Sequence, residues 1–250
     1  MSPQPTIALD FGPMASGGVD GHGPLFVPPA YAVVVAYLRR AIHLGSYAPG
    51  DKLPPERTLA PQLGVSRVTL REAIRVLEAE GYVTTRRGAS GGVTVKEQTM
   101  SAADLRERAR GQREEIDALL EFRRINERLA AERAATRIDA DGIVALEGTI
   151  RALQESTDLG GFRQADSAFH LRIAAAADFD LLREALEEAR ARMFWPIDAL
   201  DYELIVKSTV KGHGKILDAL RDKNAAAAGR AMSSHISKTI EEVNVMLAQD

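Results

Sequence analysis

Four residues in the second half of the chain are of the types that hold a divalent cation. Asp166 and His170 stand four apart, so on a helix both side chains face one site. His213 and His235 follow on two later helical stretches. Three neutral imidazoles and one carboxylate make a shell for zinc first, with nickel or manganese as alternatives. Open positions on such an ion could accept a ligand. The competing reading is that three scattered histidines are ordinary core or surface residues. Of the other two, His22 lies in a glycine-rich stretch and His43 ends the first helical run.

A second constellation is cationic. Arg67, Arg71 and Arg75 recur at i, i+4 and i+8 and form one stripe on a helix, while Leu70, Ala73, Ile74 and Leu77 fall on another face. Such a stripe can enter a DNA major groove, where arginine pairs two-pronged with guanine. Arg86 and Arg87 open a glycine-rich loop that could reach phosphates. A solvated face is the plain alternative for three arginines alone.

The elements that must position these residues follow from the pattern. Residues 1–29 are rich in Gly and Pro and read as a disordered arm. Residues 31–44 have helical periodicity, ended by Gly45 and the Ala48-Pro49-Gly50 turn. A short helix is expected from about Pro55 to Leu63, and a third from Arg67 to Glu80, capped by Ser66 and stopped by Gly81. Two β-prone runs, Tyr82 to Arg87 and Val93 to Val95, flank a glycine-rich loop and read as a hairpin. Residues 97–111 read as a polar, partly helical linker. From about 112 onward strand signals vanish and six amphipathic helices are expected. The expected fold is therefore mainly α. A winged helix-turn-helix of three helices plus a β-hairpin wing (30–96) precedes an all-α antiparallel helical bundle (112–248).

Composition agrees with a soluble, two-domain chain: 250 residues, 45% hydrophobic and 27% charged. The absence of cysteine excludes disulfides and thiolate metal sites. No apolar run is long enough to span a bilayer, and the start does not read as a secretory signal. A cytoplasmic location with no membrane partner is expected. The net charge of −3 conceals an asymmetry, because residues 31–98 carry 10 Lys+Arg against 6 Asp+Glu. A basic segment beside an acidic one fits nucleic-acid binding by the first.

The stretch from Pro49 through Pro54-Pro55-Glu56-Arg57, then Leu63-Gly64-Val65-Ser66-Arg67-Val68-Thr69-Leu70-Arg71-Glu72-Ala73, then Leu77 to Val83, closely resembles the winged helix-turn-helix of the GntR family of bacterial regulators. The resemblance covers residues 31–95. It implies DNA contacts by Arg57, Ser66, Arg67, Thr69, Arg71, Arg87 and Gly88. More loosely, residues 113–245 look like the FCD ligand-binding domain of the FadR subgroup. The pieces that carry this are Glu121-Phe122-Arg123, Asp166 to His170, His213 to Leu220, and Met232 to His235. In the metal-binding branch the four ligand positions correspond to Asp166, His170, His213 and His235, all filled here. Arg123 matches an arginine that commonly faces the same pocket, where its fork could bind a carboxylate.

Three departures carry expectations of their own. Pro61 falls inside the second helix and predicts a kink or an early 3₁₀ end that would move Arg57. Phe179-Asp180 replaces a common Asn-Pro pair, so a polar pocket contact is expected to be lost. Gly212 and Gly214 flank His213 and predict a frayed turn there.

The function implied is a homodimeric transcription regulator, not an enzyme, that binds a near-palindromic double-stranded operator. A small carboxylate effector would bridge the metal and Arg123 and weaken DNA binding, making the protein a repressor. The rivals are a sensor of an apolar ligand with a structural ion, a metal-dependent hydrolase with a DNA-binding appendage, and an architectural DNA-binding protein.

Overall fold

The computed structural model describes residues 28–86, 88, 91–96, 102–193 and 200–248. The chain is mainly α. In the N-terminal unit, α1 (Ala30–His43), α2 (Glu56–Gln62) and α3 (Arg67–Ala79) precede β1 (Val83–Arg86) and β2 (Gly92–Val95). The strands pair antiparallel with Val83 opposite Val95. Val34, Leu38, Leu59, Leu70, Ile74, Leu77, Val83 and Val95 close one core beneath them. This is the winged helix-turn-helix.

Local chemistry sets the helix ends. Ser66 caps α3 by accepting from Thr69 N at 3.1 Å. Glycines at positive φ, Gly64 among them, turn the chain between elements. Pro61 sits in the last turn of α2, which ends one residue later with Leu63 N donating to Leu59 O. The helix runs through Pro61 and closes at Gly64, where Gly64 N donates to Pro61 O and Val65 N to Ala60 O; the expected early 3₁₀ end is absent among the described residues.

The helical unit holds α4 (Ala102–Gly111), α5 (Arg113–Ala134), α6 (Ala140–Glu155), α7 (Leu159–Ala176), α8 (Asp180–Arg192), α9 (Tyr202–Arg221) and α10 (Ala225–Leu247). Asp139, Asp158, Asp201 and Asn224 cap α6, α7, α9 and α10. The segment expected to be a partly helical linker is helical where it is described. Residues 102–111 are one helix whose Leu105 and Ala109 are buried with Ile116, Leu120, Val243 and Met246. Residues 1–27 of the expected arm and 97–101 of the linker lie outside the described residues.

Candidate metal centre and DNA-binding face

α7 presents Asp166 and His170 one turn apart, while α9 and α10 bring His213 and His235 to the same place. All four are buried, and one ligand atom from each lies within 4.8 Å of the others. Asp166 Oδ1 is 3.3 Å from His213 Nε2 and 3.6 Å from His170 Nε2. The two Nε2 atoms are 3.2 Å apart. Tetrahedral zinc with bonds of 2.0–2.1 Å spaces its ligands about 3.3 Å apart, so these three atoms already stand at ligand separations.

The expectation of a frayed turn at His213 is overturned. Its ring is 0% exposed in an unbroken helix and stacks on Phe169 with centroids 3.8 Å apart. Gly212 has a packing reason instead. A Cβ there would stand 2.5 Å from His235 Nδ1, so the missing side chain is what lets α10 bring His235 in.

Two residues that the sequence reading did not single out complete the cluster. Glu127 on α5 puts Oε2 in contact with His170 Nδ1, and its Oε1 accepts from Arg123 Nε at 2.6 Å. Arg190 on α8 donates to Asp166 Oδ2 and lies 3.4 Å from Glu127 Oε1. Arg123 itself is 2% exposed, one carboxylate away from His170. Phe179 lies elsewhere, half exposed beneath the Arg133 guanidinium.

Electrostatics match a cation site. Burial raises the Asp166 carboxyl, but Arg190 and His170 outweigh it and hold that carboxyl well below its usual range. Glu127 is likewise held down against burial by Arg123, His170 and Arg190. Burial pushes His213 down to about 4 and His235 well below its ordinary value, so both rings are neutral near pH 7. Glu127 Oε2 against His170 Nδ1 orients that ring with its Nε2 toward the cluster. His213 Nε2 faces the same point, and its Nδ1 has no partner among the described residues. A carboxylate oxygen and two imidazole nitrogens converge here at ligand separations, so the residues fit a divalent metal.

On the winged unit, Arg57, Ser66, Arg67 and Arg71 are exposed and Thr69 is half buried. Arg67, Arg71 and Arg75 share the outer face of α3 with Val68, 74% exposed. Arg71 Nε is 2.7 Å from Glu56 Oε2, tying the stripe to the start of α2. Ser66 Oγ also bonds Thr69 Oγ1 at 2.9 Å. Gly88 is exposed at φ +114°, and Arg87 lies outside the described residues.

Comparison with known proteins agrees with both halves. Residues 30–93 match the family described as bacterial regulatory proteins, gntR family, and residues 118–238 match the FCD domain. The Uxu operon transcriptional regulator of Escherichia coli K12 is 32% identical over 82% of this chain and 83% of its own length. The Exu regulon transcriptional regulator of the same organism is 34% identical over 84% and 82%. The solved structure of E. coli McbR/YncC matches with a TM-score of 0.54 at 19% identity, covering 88% of this chain and 99% of that one; this shows a shared fold. The chain therefore belongs to the GntR family of bacterial regulatory proteins and carries an FCD domain. It is a transcription regulator with a DNA-binding domain rather than an enzyme. None of its described helices is long and apolar enough to cross a membrane.

Proposed function

We propose that this protein is a cytoplasmic repressor of the FadR subgroup whose operator affinity falls when a small organic acid binds at a metal centre. The observation that carries the reading is the convergence of Asp166 Oδ1, His170 Nε2 and His213 Nε2 at 3.2–3.6 Å beside two buried arginines. A divalent cation, zinc first, would be held by Asp166, His170, His213 and His235. Once bound it supplies fixed positive charge and positions open to carboxylate oxygens.

Charge balance supports an anionic effector. Arg123, Arg190, Glu127 and Asp166 form a buried quartet of two positive and two negative groups, so a divalent cation leaves an excess of positive charge. Buried charge of that kind is costly without a counterion. Arg123 commits its Nε to Glu127, and its terminal nitrogens are the groups available for a carboxylate fork.

On the DNA side, Arg57, Ser66, Arg67, Thr69, Arg71, Arg87 and Gly88 would contact the duplex, with α3 in the major groove. A homodimer would set one winged unit on each half-site of a near-palindrome. Phe122, Ile125 and Leu129 are exposed along one face of α5, an apolar stripe suited to a second copy.

The test is a thermal-shift screen of organic acids, with and without chelator, beside His213→Ala. Stabilisation by an acid that vanishes with chelator and in the variant supports the reading. Stabilisation that survives both changes refutes the metal-assisted site.

A further inference from the structure

The last turn of α8 carries two consecutive residues that serve different domains. Arg190 reaches inward. It donates to Asp166 Oδ2, on the far side of the carboxylate from the oxygen that faces His170 and His213. It also approaches Glu127, the partner of His170 Nδ1. Ala191 is buried, and its backbone accepts a hydrogen bond from the ring of His43, the last residue of α1.

His43 belongs to the winged unit and packs on Tyr82 with ring centroids 5.3 Å apart. Two further contacts brace the same seam. Arg40 of α1 stands 3.9 Å from Glu188 of α8. Gly45, at φ +76°, lies so close to α7 that a Cβ would come within 2.7 Å of the Gln164 backbone.

We infer that Arg190 is a positioning residue for the metal centre and that the α8 turn it occupies relays the state of that centre to α1 through the Ala191–His43 hydrogen bond. The inference rests on the metal reading above. The physical basis is that one carboxylate is shared. Without a cation, Asp166 shares its charge between Arg190, through Oδ2, and the His170 and His213 rings, through Oδ1. A cation drawing on Oδ1 lowers the hold on Arg190, whose Nε has no acceptor among the described residues to pin it. The turn carrying Arg190 also carries the carbonyl that His43 uses, so movement of one reaches the other across a single residue. Two sites biasing one shared element is what coupling requires. Burial pushes His43 down to about 3, so the ring is neutral and the contact is a plain hydrogen bond rather than a pH sensor.

The experiment is hydrogen exchange on the full-length chain with and without zinc chloride, together with zinc affinity by chelator competition. No effector or operator is needed. In the unmodified protein, zinc should quicken exchange in the last turn of α8 and in the second half of α1. His43→Phe should keep zinc affinity and the α8 response but lose the α1 response, and His43→Gln, which restores a donor, should recover it. Arg190→Lys keeps the charge but loses the fork; its zinc affinity should fall about 10–100-fold, with a weaker α8 response. An α1 response that persists in His43→Phe, or is absent from the unmodified protein with zinc bound, overturns the relay. Unchanged zinc affinity in Arg190→Lys overturns the positioning role. No zinc uptake by the unmodified chain overturns the proposed function, and the relay falls with it.

Discussion

Substituting alanine at Gly212 and, separately, at Gly214 separates metal-site geometry from helix stability. Both glycines lie in α9, where replacing glycine by alanine normally stabilises by about 1 kcal/mol. At Gly214 nothing lies within 4 Å of the added Cβ, so Gly214→Ala should realise that gain. For a chain of this size it raises Tm by about 2–4 °C, with zinc affinity unchanged. At Gly212 the Cβ would stand 2.5 Å from Nδ1 and 3.1 Å from Cγ of His235. The ring must retreat by about 1 Å to recover ordinary contact, roughly five times the tolerance of a metal–ligand bond. Overpacking costs about 1–3 kcal/mol, which cancels or exceeds the helix gain. Gly212→Ala should therefore show no increase in Tm and a zinc affinity lowered by about 10–100-fold. Thermal melting and competition against a chromophoric chelator measure both quantities. Equal zinc affinities in the two variants would refute the assignment of His235 to the site.

Three other perturbations have defined outcomes. Arg71→Ala should cost about 1–3 kcal/mol of discrimination between a selected duplex and random DNA, with unchanged melting; anisotropy titrations that show retained preference would refute major-groove docking by α3. Glu127→Gln removes the counter-charge of Arg123 and Arg190 and should lower stability in urea by about 3–5 kcal/mol, a loss under 1 kcal/mol being contrary. His43 is depressed from 6.5 to about 3 by burial, so its contribution is present above pH 6.5 and is lost as pH falls from 6.5 toward 3. At pH 5 the loss is about 2 kcal/mol, and His43→Phe should flatten the stability profile between pH 7 and 5 by that amount; identical profiles would contradict the burial of a neutral ring.

The winged unit was legible because its signals are local. Ser66, the 70/73/74/77 apolar spacing and the Gly64 and Gly81 stops each act within a few residues, and the capped helix and its core follow from them. Asp166 and His170 were legible for the same reason, being one turn apart. Glu127 and Arg190 were not, because they meet 63 positions apart in sequence through the packing of α5, α7 and α8. A Glu four after Arg123 reads as a solvated i,i+4 pair until the fold buries it. Gly212 was misread as weakness because helix propensity is a local quantity, whereas its role is set by a ring on another helix. The burial of residues 102–111 was not legible, because their polar residues outnumber the two, Leu105 and Ala109, that pack against α5 and α10.

The anchoring of α4 fixes how far the two units can part. Six peptide links join Lys96 to Ala102, a reach of about 20 Å at full extension. Separation of α1 from α8 is thus an intramolecular event at a local concentration on the order of millimolar. A contact needs only about 4 kcal/mol of bimolecular affinity to be half closed at that concentration. The seam holds the His43 hydrogen bond, the long Arg40–Glu188 pair, the close approaches of Gly45 to Gln164 and of Pro49 to Gly160, and Tyr82 packed against the core of α4, α5 and α10. Loss of about 1 kcal/mol of contact across it lowers the ratio of closed to open about fivefold without unfolding either unit.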